Sequence, residues 1–404
     1  MANVHTMDDL RQFQSMPLPV KIAMTQTRIR AWVNEYGTDG VYVSFSGGKD
    51  STVLLHIVRG LYPDIPGVFV DTGLEYPEIR EFVKTFDNIT WLKPKMNFRQ
   101  VIKKYGYPFL SKETSNTLDE ARKYLTKYTH MHTIVRQTDR QIIPCYSAMA
   151  DMLGIPRRGN AKNSEEMRDL MMGIIPKKYK YGMPVRILQL MGKMPHTEKG
   201  KLTNEISNRY DKSRYLFMLD APFNVSDKCC RVMKKDPLHA YQKETGRNPM
   251  VAMMAVESHL RQSNWIKYGC NMFNAKHPIS TPMAFWTEQD VLKYIKENNL
   301  PIASVYGDIV PDNGSEDFDG QMDIADLGLS EDNRPLKTTG CNRTGCMFCG
   351  FGCHVENNPN RFERMKETHP KQYDYIMRPE DKGGLNYRAV IDWINENGHF
   401  DIKY

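Results

Sequence analysis

Between Val41 and Val58 the chain runs from a short apolar segment, Val41-Tyr42-Val43-Ser44-Phe45, through Ser46-Gly47-Gly48-Lys49-Asp50-Ser51, into Thr52–Val58 with apolar residues at helical spacing. A buried strand, a glycine turn and a helix start in that order constrain the fold more than any other feature. Glycines let the backbone bend so that its amides converge into an anion-binding nest. The helix N-terminus adds about half a positive charge, and Lys49 adds a full one. Ser46 and Ser51 offer hydroxyls to phosphate oxygens, and Asp50 is placed to hold a magnesium ion or to orient the loop. Ser46, Gly47, Gly48, Lys49, Asp50 and Ser51 are therefore the expected nucleotide-binding residues, with Lys49, Asp50 and Ser51 the catalytic candidates. The spacing matches neither Gly-x-x-x-x-Gly-Lys-Ser/Thr nor Gly-x-Gly-x-x-Gly.

An amphipathic helix over Lys21–Tyr36 and a turn at Gly37–Gly40 precede this strand. A second strand, Pro66–Val70, ends in Asp71-Thr72-Gly73. A helix near Glu78–Thr85 and a third strand, Ile89–Leu92, follow. This alternation predicts an α/β fold: a Rossmann-like, doubly wound parallel sheet with helices on both faces. Ligands of such sheets sit at the carboxyl ends of the strands, which adds Asp71 and Thr72 to the expected site; the competing reading is that they cap the next helix. The pattern loosens over 113–226 and resumes with a strand at Met250–Val256. A helix is expected after Trp286, with Thr287 as N-cap and Asp290 three residues on. Gly307–Pro335 is acidic and reads as a flap, and polar helices are expected near Arg361–Tyr375 and Tyr387–Asn397. The expected organisation is a first half of a nucleotide-binding domain (1–112), a basic, mainly helical insertion (113–226), a second half (227–306), and a flap, cysteine-rich loop and C-terminal helices (307–404).

The net charge of +7 is concentrated in one place. Arg157–Arg214 holds 14 Lys/Arg against 6 Asp/Glu, while the rest of the chain holds 41 against 42. Such a segment either tracks a nucleic-acid backbone or is a solvated helical surface. Met1–Leu10 carries no signal pattern and no apolar run is long enough to span a bilayer, so a reducing cytoplasmic setting is expected. Eight cysteines in 404 residues are then ligands or thiols rather than a disulfide scaffold.

Cys229 and Cys230 are adjacent, and Cys341, Cys346, Cys349 and Cys353 lie together in a glycine-rich stretch. Thiolates two residues apart converge on one metal without strain. A local site would use Cys341, Cys346, Cys349 and Cys353 and suits zinc; a split site would use Cys229, Cys230, Cys346 and Cys349. Cys145 and Cys270 are isolated and read as packed thiols.

The run Ser44-Phe45-Ser46-Gly47-Gly48-Lys49-Asp50-Ser51 resembles the loop of the pyrophosphatase-loop (PP-loop) superfamily: ATP pyrophosphatases, tRNA-thiolating enzymes and sulfonucleotide reductases. Asp71-Thr72-Gly73-Leu74-Glu75-Tyr76-Pro77-Glu78 resembles a segment beside the nucleotide in phosphoadenosine phosphosulfate (PAPS) reductases. Lys234-Lys235-Asp236-Pro237-Leu238, Glu257-Ser258-His259-Leu260-Arg261 and Trp286-Thr287-Glu288-Gln289-Asp290-Val291 are similar to further elements of that family, except that Met254 or a neighbour replaces the arginine expected before Glu257. The resemblance implies a sheet of the adenine nucleotide alpha-hydrolase type binding ATP or an adenylyl sulfate. It implies a [4Fe–4S] cluster on the split set Cys229, Cys230, Cys346 and Cys349; Arg261 and Lys112 are weaker candidates for anion contacts, with a plain surface position the competing reading of each. A sulfur donor or reductant protein is the implied partner.

Sulfonucleotide reductases attack sulfate with a cysteine in a C-terminal Glu-Cys-Gly-aliphatic-His element, and here no cysteine follows Cys353. Cys353-His354 is the one Cys-His pair. The favoured expectation is therefore ATP-dependent, adenylating sulfur transfer to a nucleic acid, as in tRNA thiolation or DNA phosphorothioation. The alternatives are sulfonucleotide reduction releasing sulfite, and a non-catalytic, zinc-containing RNA-binding protein.

Overall fold

A computed structural model of the chain describes residues 3–127, 186, 189–190, 192, 195–198, 201–206, 208–312 and 334–404. Most of the basic segment, Cys145 and the centre of the acidic flap lie outside the described residues. The chain divides into two units, one of residues 1–97 and 232–347, the other of 98–231 and 348–404.

In the first unit, α1 (Met7–Ser15) and α2 (Leu18–Tyr36) lead to β1 (Val41–Ser44), and the glycine loop opens α3 (Lys49–Leu61). β2 (Gly67–Val70), α4 (Pro77–Lys84) and β3 (Ile89–Leu92) complete the first half. The second half supplies α5 (Asp236–Thr245), β4 (Asn248–Val251), α6 (His259–Tyr268), β5 (Asn271–Met272), β6 (Ile279–Ser280) and α7 (Glu288–Glu297). A hairpin of β7 (Ile309–Pro311) and β8 (Leu336–Thr338) joins the described ends of the acidic flap.

The strands form one sheet in the order β3-β2-β1-β4-β6-β5, parallel except for the edge pair β5–β6. This is the doubly wound α/β sheet expected. The winding direction reverses between β1 and β4, so the crevice outside their carboxyl ends is the topological switch point, where such sheets take ligands. Val41, Tyr42 and Val43 are all buried, as a central strand covered on both faces requires.

Two sequence expectations change at their edges. The strand expected over Met250–Val256 ends at Val251, because Met253 N–H turns back onto the Val251 carbonyl and Ala255–Glu257 closes a 3₁₀ turn. The helix expected over Arg361–Tyr375 is two helices, Arg361–Thr368 and Pro370–Met377, since Pro370 cannot donate into a continuing helix and instead starts a new one.

The second unit pairs Phe109–Leu110 with Gly350–Phe351 in parallel. Its helices include Phe98–Tyr105, Lys112–Lys127 and Tyr387–Gly398, and a hairpin joins Pro195–Glu198 to Lys201–Ile206. Tyr387 is fully buried, and its hydroxyl donates to the Phe348 carbonyl at 2.6 Å.

α7 begins as the sequence predicts, with Thr287 and Asp290 forming a reciprocal capping box. Asp290 also receives the Lys21 ammonium of α2 at 2.7 Å, with side chains only 11% and 2% exposed. Lys21 has a second acceptor in the Gln14 carbonyl. Removing one partner strands the other charge in a dry environment. Lys21→Met is expected to lower unfolding free energy by about 3–5 kcal/mol, read from urea midpoints at unchanged m-value.

Candidate functional site

The glycine loop works because Gly47 has φ +73°, and a Cβ there would lie 2.7 Å from Val83 Cγ2 and 2.8 Å from Ile79 Cγ2. The bend lets α4 pack directly beneath the loop while Gly48 caps α3. Hydroxyl oxygens are the acceptors of the loop amides. Ser46 N–H donates to Ser51 Oγ at 3.2 Å, Gly48 N–H to Ser46 Oγ at 3.3 Å, and Lys49 N–H to Tyr306 Oη at 3.3 Å. These bonds are long, so stronger acceptors can replace them at modest cost.

Two cavities flank the loop, both within the first unit. The larger, about 340 Å³, is lined by Ser46, Gly48, Lys49, Asp50 and Ser51 together with Val251 and Ala252 at the end of β4. It therefore occupies the switch-point crevice. The smaller, about 110 Å³, lies against the ends of β1 and β2, walled by Phe45, Val68, Val70, Glu75 and Tyr76. Ser44, Ser46, Thr344 and Gly345 border both.

Lys49 Nζ is buried, 2.5 Å from Glu288 Oε1 and donating to the Asn342 carbonyl at 2.5 Å. Asp50 has one carboxylate oxygen buried without a hydrogen-bond partner. Burial raises its pKa above the ordinary carboxylate value; Lys49 opposes that rise, Glu288 adds to it, and Arg343 and Arg261 oppose it. Arg261 pairs with Glu257, which also lies 3.7 Å from Arg343. Burial and the nearby Arg343 lower the Arg261 pKa, while Asp50 raises it. Lys49, Arg261 and Arg343 thus face Asp50, Glu257 and Glu288, three cations against three carboxylates.

Tyr306 links the loop to the cysteine-rich segment. Its oxygen accepts from Lys49 N–H and lies 2.5 Å from Thr344 Oγ1. Burial pushes its pKa up to about 12, so it stays a neutral phenol with a proton to give.

Ser46, Gly48, Lys49, Asp50 and Ser51 come together at one cavity, and Arg261 pairs with Glu257, which lines it. Asp71 and Thr72 are at the end of β2 but are engaged locally: Asp71 binds Arg80 at 2.8 Å and Gly73 N–H, and Thr72 binds Glu75. They do not cap α4, which starts at Pro77. Lys112 opens a helix of the second unit. Glu288, Tyr306, Arg343 and Thr344 escaped the sequence reading. Glu288 stood inside the quoted Trp286–Val291 run, and Arg343 and Thr344 inside a stretch read only for its cysteines.

Among the described residues, no group of three or more His, Cys, Asp or Glu side chains is arranged to hold a metal ion. The split cysteine set is divided, with Cys346 in the first unit and Cys229, Cys230 and Cys349 in the second. Within the second unit, Cys349, Cys229 and Cys353 all lie close enough to Tyr387 to raise its pKa, after the larger effect of burial. Cys341, in the first unit, hydrogen-bonds the Arg343 carbonyl. Cys353 is 2% exposed, and burial pushes its thiol up to about 12, which makes it a poor nucleophile at neutral pH. His354 Nε2 is 3.1 Å from the Tyr215 hydroxyl, and burial, with Arg214 second, lowers its pKa.

The phosphoadenosine phosphosulfate reductase domain model matches residues 40–143 and 194–350, a span that opens just before β1 and closes just past Cys349. The chain belongs to the PAPS reductase domain family. A phosphoadenosine 5'-phosphosulfate reductase of Xylella fastidiosa is 34% identical over 79 residues, covering 20% of this chain and 32% of that protein. An uncharacterised protein of Methanocaldococcus jannaschii is 36% identical over 102 residues, covering 23% and 25%. The matches thus span about a quarter to a third of those relatives. A crystal structure of the Candida auris phosphoadenylyl-sulfate reductase in its phosphate complex aligns over 80% of this chain and 90% of that one, with TM-score 0.32 and 12% identity.

Gly47→Ala tests the loop directly. The added methyl meets Val83 and Ile79 at a positive φ, so a loss of about 1–3 kcal/mol in stability is expected, measured by denaturant unfolding.

Proposed function

We propose that this PAPS reductase family member binds an adenine nucleotide across the two cavities and performs adenylating sulfur chemistry on it. The observation that carries the reading is the buried ammonium of Lys49, set with the Ser46–Ser51 amides and hydroxyls at the switch-point crevice. The smaller cavity, with its Phe45, Val68 and Tyr76 walls, suits a purine; the larger suits the phosphate chain. In the reaction an acceptor oxygen attacks the α-phosphorus of ATP and the bond to the bridging oxygen breaks, so pyrophosphate leaves with that electron pair. Lys49 and the loop donors stabilise the charge gathering on the leaving group. Sulfur then displaces AMP from the adenylated acceptor. The Arg157–Arg214 charge excess favours a nucleic acid as acceptor.

Sulfonucleotide reduction is the second reading, favoured by the names of the similar Xylella proteins. It requires a reactive thiolate, and the buried, high-pKa Cys353 is a poor source of one. Binding of iron by Cys229, Cys230, Cys346 and Cys349, with zinc as the other candidate, is compatible with either reading and rests on the spacing of the cysteines in the sequence.

Purified protein given ATP and acceptor is expected to release pyrophosphate, and Lys49→Ala to reduce that release at least a hundredfold with folding intact. Sulfite from adenylyl sulfates, with no pyrophosphate from ATP, would establish the reductase reading instead. Anaerobically prepared protein is expected to carry iron that is lost on Cys346→Ala; metal analysis finding stoichiometric zinc rejects this.

A further inference from the structure

Lys49 and Glu288 are unequal partners. The Lys49 side chain is 5% exposed and fixed by a second acceptor, the Asn342 carbonyl; the Glu288 side chain is 40% exposed. Glu288 is the first residue of α7, yet capping of that helix belongs to Thr287 and Asp290. Its carboxylate sits on the ammonium of an anion-binding loop and lines the same cavity as Ser46, Gly48 and Ser51. Asp50 of α3, Glu257 just before α6 and Arg343 of the cysteine-rich segment line the same cavity, and Arg261 pairs with Glu257. The ammonium in this state is already paired with a carboxylate, so an incoming phosphate chain must displace Glu288 to reach Lys49.

We propose that Glu288 is an internal competitor for Lys49, holding the ammonium when the cavity is empty and reclaiming it as pyrophosphate departs. The inference rests on the reading of the glycine loop as a phosphate site. Exchange moves Lys49 from a carboxylate oxygen to a phosphate oxygen, and Glu288 turns into water, which its half-exposed position permits. A competitor of this kind lowers the affinity for the bound phosphate chain without touching the amides that shape the site. Turnover gains, because a leaving group held too tightly becomes the slow step. Glu288 is thus a residue for product release, while Lys49 and the loop amides serve bond cleavage.

The test is calorimetric titration of inorganic pyrophosphate into wild type and Glu288→Gln, a change that keeps shape and removes the charge. Pyrophosphate is expected to bind Glu288→Gln about tenfold more tightly. Steady-state turnover should show a lower kcat and stronger inhibition by added pyrophosphate. The tighter binding should persist at about 0.5 M salt, since a contact pair is screened far less than distant exposed charges. Equal or weaker binding by Glu288→Gln means that Glu288 positions Lys49 and overturns the proposal. A gain that vanishes in salt means diffuse repulsion and overturns it too. Absence of binding by both proteins defeats the phosphate-site reading itself, a result distinct from either of the others.

Discussion

One buried ammonium ties together segments that are far apart in sequence. Lys49 lies at the start of α3, Glu288 at the start of α7, and Asn342 in the stretch leading to Cys346, and all three meet within hydrogen-bond distance. A buried lysine without partners would lose its charge or destabilise the fold, so these contacts are a condition for placing a cation at the switch point. They also fix the crevice: the strand order brings β1 beside β4, and Lys49 fastens two later segments over the opening. The position of the cysteine-rich stretch within the first unit depends on this lysine and on Tyr306, whose hydroxyl group touches both Lys49 N–H and Thr344.

Much of the sheet was legible because its signals are local. β1 and β3 fall almost where the apolar runs put them, and Thr287–Asp290 caps α7 as the residue pattern demands. The glycine loop was legible for the same reason, since φ at Gly47 and the helix start are properties of adjacent residues. The counter-ions were not legible. Glu288 is 239 residues from Lys49, and nothing in the Trp286–Val291 run distinguishes a carboxylate facing water from one facing a lysine. Asp71 and Thr72 show the converse. Their position at the end of β2 was evident, but Arg80 and Glu75, which occupy their side chains, belong to a local network that motif resemblance does not reveal.

The cysteines divide by environment in a way that spacing alone does not convey. Cys341 bonds a nearby carbonyl in the first unit, whereas Cys353 is buried in the second with its thiol strongly protonated. Arg361 donates to the Cys349 carbonyl at 2.8 Å; burial lowers its pKa, and its hydrogen bond and charge contact with Glu356 more than reverse that. Cys341 and Cys353, twelve residues apart in sequence, therefore occupy chemically different surroundings.

Thr344 and Gly345 form a partition shared by both cavities, and the next residue is Cys346. Consecutive Cα atoms across a trans peptide stay about 3.8 Å apart. A molecule touching Gly345 from either chamber therefore lies one peptide unit from a sulfur-bearing residue.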